Sequence, residues 1–169
     1  MKKEYCVKMK RLKLFVPLGT QKFPFNRLIL ALNKLIEQKK YQPNDILVQS
    51  TIFDIEVNCN HVGLIPINEF NQYMEKAEVI VTHSGVNSII SSMKLQKPLI
   101  IVPRLHKYGE HVDDHQLEIA NLMENKFNIL VLKDINDLAD FIEEAKSHEY
   151  KPWISHREEL IQSIRNDIV

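Results

Sequence analysis

Two short polar stretches of this chain hold residue types that bind ligands, and each follows an apolar run. The first, His83-Ser84-Gly85-Val86-Asn87-Ser88, lies between the β-branched run Val79 to Thr82 and a stretch with helical spacing from Ile89 to Leu95. That order reads as strand, polar loop and helix N-terminus. A helix opening near Asn87 presents unpaired N–H groups and the positive end of its dipole. Gly85 admits a close approach to the backbone, and His83 and Ser88 add donors. A phosphate or diphosphate is the natural guest. The second stretch follows the apolar run Pro98 to Val102 and holds Glu110, His111, Asp113, Asp114, His115 and Gln116. Carboxylate acceptors beside imidazole and amide groups suit sugar hydroxyls better than a second anion. The two loops together describe a nucleotide-sugar site.

The same residues admit plainer roles. Asn87 and Ser88 are favoured helix caps, and a lone His83 suits a structural place at a strand end. His111, Asp114 and His115 are also ligand types for a divalent ion. Asp113 and Asp114 at a helix start need no ion, because the helix dipole already favours them, and no metal is expected.

The elements that must position these loops can be read from periodicity. Leu12 to Leu18 reads as a strand ending at Gly19-Thr20, and Pro24 or Phe25 opens a helix to about Gln38, with Leu28, Ile29, Leu32, Leu35 and Ile36 on one face. Ile46 to Gln49 is a buried strand after a loop marked by Pro43 and Asn44. Phe53 to His61 reads as irregular, Val62 to Ile67 as a short strand, and Asn68 as the cap of a helix to Lys76. Gln116 to Asn125 is helical, with Leu117, Ala120, Leu122 and Met123 toward the core. Asn128 to Leu132 is the last strand, and Asp134 or Asn136 caps a helix through Ala145. Strands and helices alternate, which predicts an α/β fold with a doubly wound, Rossmann-like, mainly parallel sheet and ligands at the C-terminal strand ends.

Three segments follow from this reading. Residues 1–11, with Lys2, Lys3, Lys8, Lys10 and Arg11, form a basic N-terminal extension, which is either a solvated tail or a contact for an anionic membrane or acidic partner. Residues 12–150 form the ligand-binding domain. Residues 151–169 form an amphipathic helix, with Trp153, Leu160, Ile161, Ile164 and Ile168 apolar, that packs on the sheet or docks a partner. At 169 residues the chain suits one domain, and 22 basic against 22 acidic residues leave no nucleic-acid footprint. Leu14 to Leu18 is too short for a signal peptide, no run is long enough to span a bilayer, and Cys6 and Cys59 have no metal spacing. A reducing cytoplasm is the expected home.

The His-x-Gly-x-Asn-Ser run followed by Glu110-His111 resembles the nucleotide-sugar signature of GT-B glycosyltransferases. Pro103-Arg104 with Lys107-Tyr108-Gly109-Glu110-His111-Val112-Asp113-Asp114-His115-Gln116 is similar to short bacterial polysaccharide galactosyltransferases of the glycosyltransferase family 28 C-terminal type. Those are similar in turn to the soluble subunit of the dolichol-linked N-acetylglucosamine transferase. The resemblance spans residues 12 to 145 and corresponds to the C-terminal half of a GT-B enzyme. The chain differs from the family in reading Gln49-Ser50-Thr51 where Gln-Thr-Gly is usual, and it has Ser91 where plant relatives carry an acidic residue for ribose.

The resemblance implies the donor-binding subunit of a UDP-sugar transferase, inverting and metal-independent, with the UDP-sugar as substrate and no cofactor. His83, Gly85, Asn87 and Ser88 would hold the diphosphate, with Gly19 and Thr20 facing them across the cleft. Glu110 and His111 would take the place of the acidic-Gln pair that grips sugar hydroxyls. Asp114, His115 and Gln116 would complete the sugar-side wall or cap the next helix. In this family the base usually comes from the other domain, so a membrane-associated partner is expected to supply the base and the acceptor site. The expected reaction is galactosyl transfer to a lipid-linked saccharide in capsular or exopolysaccharide synthesis, with the chain peripheral at the inner membrane face. A non-catalytic nucleotide-sugar-binding regulatory subunit is the alternative, and an epimerase is disfavoured by length.

Overall fold

The computed structural model describes residues 12–155. The expected 1–11 extension lies outside them, as does the 151–169 helix beyond residue 155. Six strands form one parallel sheet: β1 (Leu12–Pro17), β2 (Ile46–Gln49), β3 (Asn60–Val62), β4 (Ala77–Thr82), β5 (Leu99–Ile101) and β6 (Leu130–Val131), in the order β3-β2-β1-β4-β5-β6. Every strand pair is parallel, with Leu14 beside Val79 and Ile46, and Val81 beside Ile100. The helices are α1 (Asn26–Glu37), α2 (Ile67–Lys76), α3 (Val86–Lys94), α4 (His115–Phe127) and α5 (Leu138–Ala145). The expected doubly wound α/β fold is the one observed.

Strand alternation divides the core in two. Val79, Val81 and Ile100 pack with Leu28, Leu32, Leu138 and Ile142 on the α1/α5 face. Ile80, Leu99 and Ile101 pack with Met74, Ile89, Met93, Ala120 and Met123 on the α2/α3/α4 face. Both faces of the central strands are covered, which is why they read as continuous apolar runs. The chain leaves β1 toward one edge and returns through β4 toward the other, so the crevice beside β1 and β4 is the topological switch point.

Three local expectations need correction. The strand placed at Val62 to Ile67 is Asn60–Val62, because its partner β2 ends at Gln49 opposite Val62 and Pro66 lies beyond. Asn68 does not cap α2: the helix starts at Ile67 with Pro66 at the cap position and no side-chain cap. Leu122 is 58% exposed, because the buried stripe of α4 runs through Gln116, Ala120 and Met123, and Leu122 lies about 200° round the helix from Ala120. Asp134 caps the last helical segment as expected, accepting from the Asn136 N–H at 2.9 Å; the segment opens with a 3-10 turn at Ile135–Asp137 and the α-helix proper begins at Leu138.

Candidate functional site

The ends of β1 and β4 lie side by side and are tied together: Thr82 Oγ1 donates to the Pro17 carbonyl at 2.7 Å, and the His83 Nδ1–H donates to the same oxygen at 3.3 Å. The second bond fixes the tautomer and leaves Nε2 as the ring's free lone pair. Among the described residues, Nε2 has no hydrogen-bond partner. The imidazole is 7% exposed, and its pKa is pushed down to about 4. Burial is the main cause, the nearby Arg104 charge adds to it, and the bond to Pro17 opposes both. His83 is therefore neutral at pH 7.

Two glycines enclose this ring. A Cβ at Gly85 would stand 2.4 Å from His83 Nε2, and a Cβ at Gly19 would stand 3.0 Å from Cε1. Gly19 also has φ +73, a left-handed conformation in which a side chain is strained. The space that Gly85 leaves open thus belongs first to the histidine.

The helix N-terminus forms the floor. Gly85 is the cap residue of α3, it has no side chain to cap with, and no acidic residue occupies the first turn. The first intrahelical bond is from Ile89 N–H to the Gly85 carbonyl, so the N–H groups of Val86, Asn87 and Ser88 have no helical acceptor. Asn87 and Ser88 lie inside this turn and are not its caps. Gly19, Thr20, His83, Gly85, Asn87 and Ser88 all line one cavity of about 840 Å³.

Part of the lining is apolar, and the sequence reading did not identify it. Leu64, Ile67 and Val86 line the cavity and are 76%, 73% and 50% exposed, with Phe70 and Ile90 beside them. Gln49 also lines it, donating weakly through Nε2 to the carbonyls of Gly63 at 3.3 Å and Gly19 at 3.4 Å. Exposed apolar residues after a Gly-containing loop are a weak signal in sequence, since only the packed chain shows which cavity they face.

The second loop is arranged differently. None of Glu110, His111, Asp114, His115 and Gln116 lines the cavity around His83. Glu110 is 2% exposed, and its carboxylate accepts from Arg27 Nε at 3.1 Å, Arg27 Nη2 at 2.9 Å and the Leu105 N–H at 3.0 Å. Gln116 Oε1 accepts from the Arg104 N–H at 3.1 Å, and Asp114 accepts from the His106 N–H at 2.9 Å. His111 pairs with Asp113 at 2.9 Å, while His115 faces solvent beside Glu118. The Asp113 carboxyl is held below the usual range, chiefly by the His115 N–H. Among the described residues no group of three or more His, Cys, Asp or Glu is placed to hold a metal ion.

The family model described as the glycosyltransferase family 28 C-terminal domain matches residues 13–153. The chain is 29% identical over 94 residues to the UDP-N-acetylglucosamine transferase subunit ALG13 of Candida albicans, covering 56% of this chain and 30% of that protein. It is 29% identical over 75 residues to the protein of the same name from Yarrowia lipolytica, covering 44% of this chain and 36% of that one. The match thus spans roughly a third of the length of these curated relatives. The solution structure of ALG13 superposes with a TM-score of 0.54 at 17% identity, covering 90% of this chain and 94% of that one, a likeness of fold.

Proposed function

The chain belongs to the family of glycosyltransferase family 28 C-terminal domains, and from that premise we propose that it is the donor-binding subunit of a UDP-sugar glycosyltransferase that works with a partner. The observation that carries this reading is the uncapped, acid-free N-terminus of α3 at the floor of the switch-point cavity, with His83 and the Gly19-Thr20 turn beside it. Such a terminus favours a diphosphate. The apolar wall of Leu64, Ile67 and Val86 offers surface for the nucleoside.

In this reading the unpaired N–H groups of Val86, Asn87 and Ser88 and the dipole of α3 stabilise the charge that grows on the UDP leaving group as the glycosidic bond breaks. These groups perform the task without a metal ion. Transfer is inverting, with the base and the acceptor site on the partner, a membrane-associated subunit that brings the lipid-linked saccharide. Among the described residues no helix is long and apolar enough to cross a membrane, so in this reading the partner provides the attachment at the inner membrane face.

The sugar is a hexose or hexosamine. The fungal relatives carry N-acetylglucosamine in their names, which favours that sugar. Galactosyl transfer in capsular or exopolysaccharide synthesis rests on the bacterial resemblance alone.

Calorimetric titration of UDP into the purified chain without metal tests the reading. Binding that His83→Ala weakens by at least tenfold, about 1.4 kcal/mol, is the expected result. Absence of UDP binding both alone and with the co-expressed partner would remove the donor-site reading.

A further inference from the structure

Among the described residues, Arg104 is the largest side chain with no exposed surface. It follows β5, a strand away from the cavity, yet its guanidinium reaches across to the turn that follows β1. Nη2 donates to the Leu18 carbonyl at 3.1 Å, and Nη1 donates to the Phe23 carbonyl at 2.8 Å. Longer bonds run from Nη1 to the carbonyls of Pro24 and Glu110, each 3.4 Å. The Phe25 ring lies over the guanidinium with its centroid 4.7 Å from Cζ. Nε is buried with no partner among the described residues, so the group is not placed to satisfy all of its own donors.

The two short bonds fall on either side of Gly19-Thr20-Gln21-Lys22. One rigid guanidinium therefore fastens both ends of the turn whose Gly19 packs against the His83 ring. A second bridge lies outside it: Arg27 at the start of α1 holds Glu110 and the Pro103 carbonyl, closing the same two loops together. We infer that Arg104 is the positioning residue of the donor site: it staples the Gly19–Lys22 turn against His83, and diphosphate affinity depends on that staple.

This rests on the donor-site reading above. A lysine at position 104 keeps the charge but cannot span two carbonyls with a planar fork, so it separates stapling from charge. The His83 pKa, lowered mainly by burial and further by the Arg104 charge, provides a second readout of the ring's surroundings. The experiment measures amide exchange of residues 19–22 in the ligand-free chain, the His83 titration by NMR, and UDP affinity by calorimetry, for wild type, Arg104→Lys and the milder Phe25→Leu. Arg104→Lys is expected to speed exchange in the turn at least tenfold, to leave the His83 titration depressed, and to weaken UDP at least tenfold. Phe25→Leu should shift exchange and affinity in the same direction by a smaller factor, and it carries the test if Arg104→Lys does not fold. Wild-type affinity in Arg104→Lys with a loosened turn, or an unchanged turn in both variants, overturns the assignment. A wild-type chain that binds no UDP either alone or with the co-expressed partner, with the turn loosened in the variant, overturns the donor site and the role while leaving the staple as a fact of folding.

Discussion

His83 is neutral at a site read as binding an anion. With Nδ1–H committed to Pro17, Nε2 can donate to a phosphate only after taking a proton. UDP binding near pH 7 is therefore expected to take up a proton, and affinity is expected to rise as pH falls toward about 4. Calorimetry in buffers of different ionisation enthalpy measures the uptake, and His83→Ala should abolish it. Zero uptake by the wild type would make Nε2 an acceptor for a hydroxyl instead. The same residue sets an acid limit on folding. Its folded pKa of about 4 lies below the ordinary 6.5, so the unfolded chain binds the proton more readily. This contribution to stability is complete above pH 6.5 and is lost as pH falls through about 4, and in full it amounts to about 3 kcal/mol. Urea unfolding of wild type and His83→Ala across that window should diverge accordingly. Gly85→Ala tests the packing: its Cβ would meet the imidazole at 2.4 Å, so a loss of about 1–3 kcal/mol and of UDP binding is expected.

Helix α3 shows how an element can be tuned for a ligand at the expense of its own stability. A capping side chain or a first-turn carboxylate would satisfy the N–H groups of Val86, Asn87 and Ser88, and the chain has neither. Asn87→Asp, at an exposed position in that turn, is expected to stabilise the chain by about 0.3–1 kcal/mol while weakening UDP at least tenfold through repulsion. Opposite signs in thermal unfolding and titration are the signature. Equal signs would mean that α3 does not receive the anion. The β5–α4 loop behaves in the contrary way, because its carboxylates already have partners. Glu110, 3% exposed at the side chain, and Arg27, 14% exposed, form a buried pair, and Glu110→Ala is expected to cost about 3 kcal/mol by leaving the guanidinium uncompensated. Denaturant unfolding checks this.

The domain places its candidate site where the two halves of the sheet diverge, so a ligand there touches the end of β2 and the loops after β1, β3 and β4 at once. Binding should therefore stabilise the fold as a unit. UDP at about a hundred times its Kd adds about 2.7 kcal/mol, which for a chain of this size raises Tm by roughly 5–10 °C. Differential scanning calorimetry should show this in the wild type and, at the same UDP concentration, a shift smaller by about half or more in His83→Ala.

Much of this arrangement was legible in the chain, for a local reason. Strands covered on both faces read as apolar runs, and amphipathic helices repeat every three or four residues, so β1, β2, β4, β5, α1 and α3 could be placed from neighbours alone. The His83–Ser88 turn was legible for the same cause, since glycine and small polar residues between a strand and a helix have few other uses. Weak or short elements were not legible: β3 is defined by its pairing with β2, and Leu122 by which side of α4 meets the sheet. The polar loop after β5 marks the other limit. Glu110 looked free to bind a sugar because its partner Arg27 lies 83 positions away, and Arg104 stood out only as part of a family resemblance because the carbonyls it holds lie more than 80 positions earlier. Residue type and spacing specify which groups can donate and accept, but only the topology brings distant donors and acceptors together. Once paired in the low dielectric of the interior, those groups hold each other first and a ligand second.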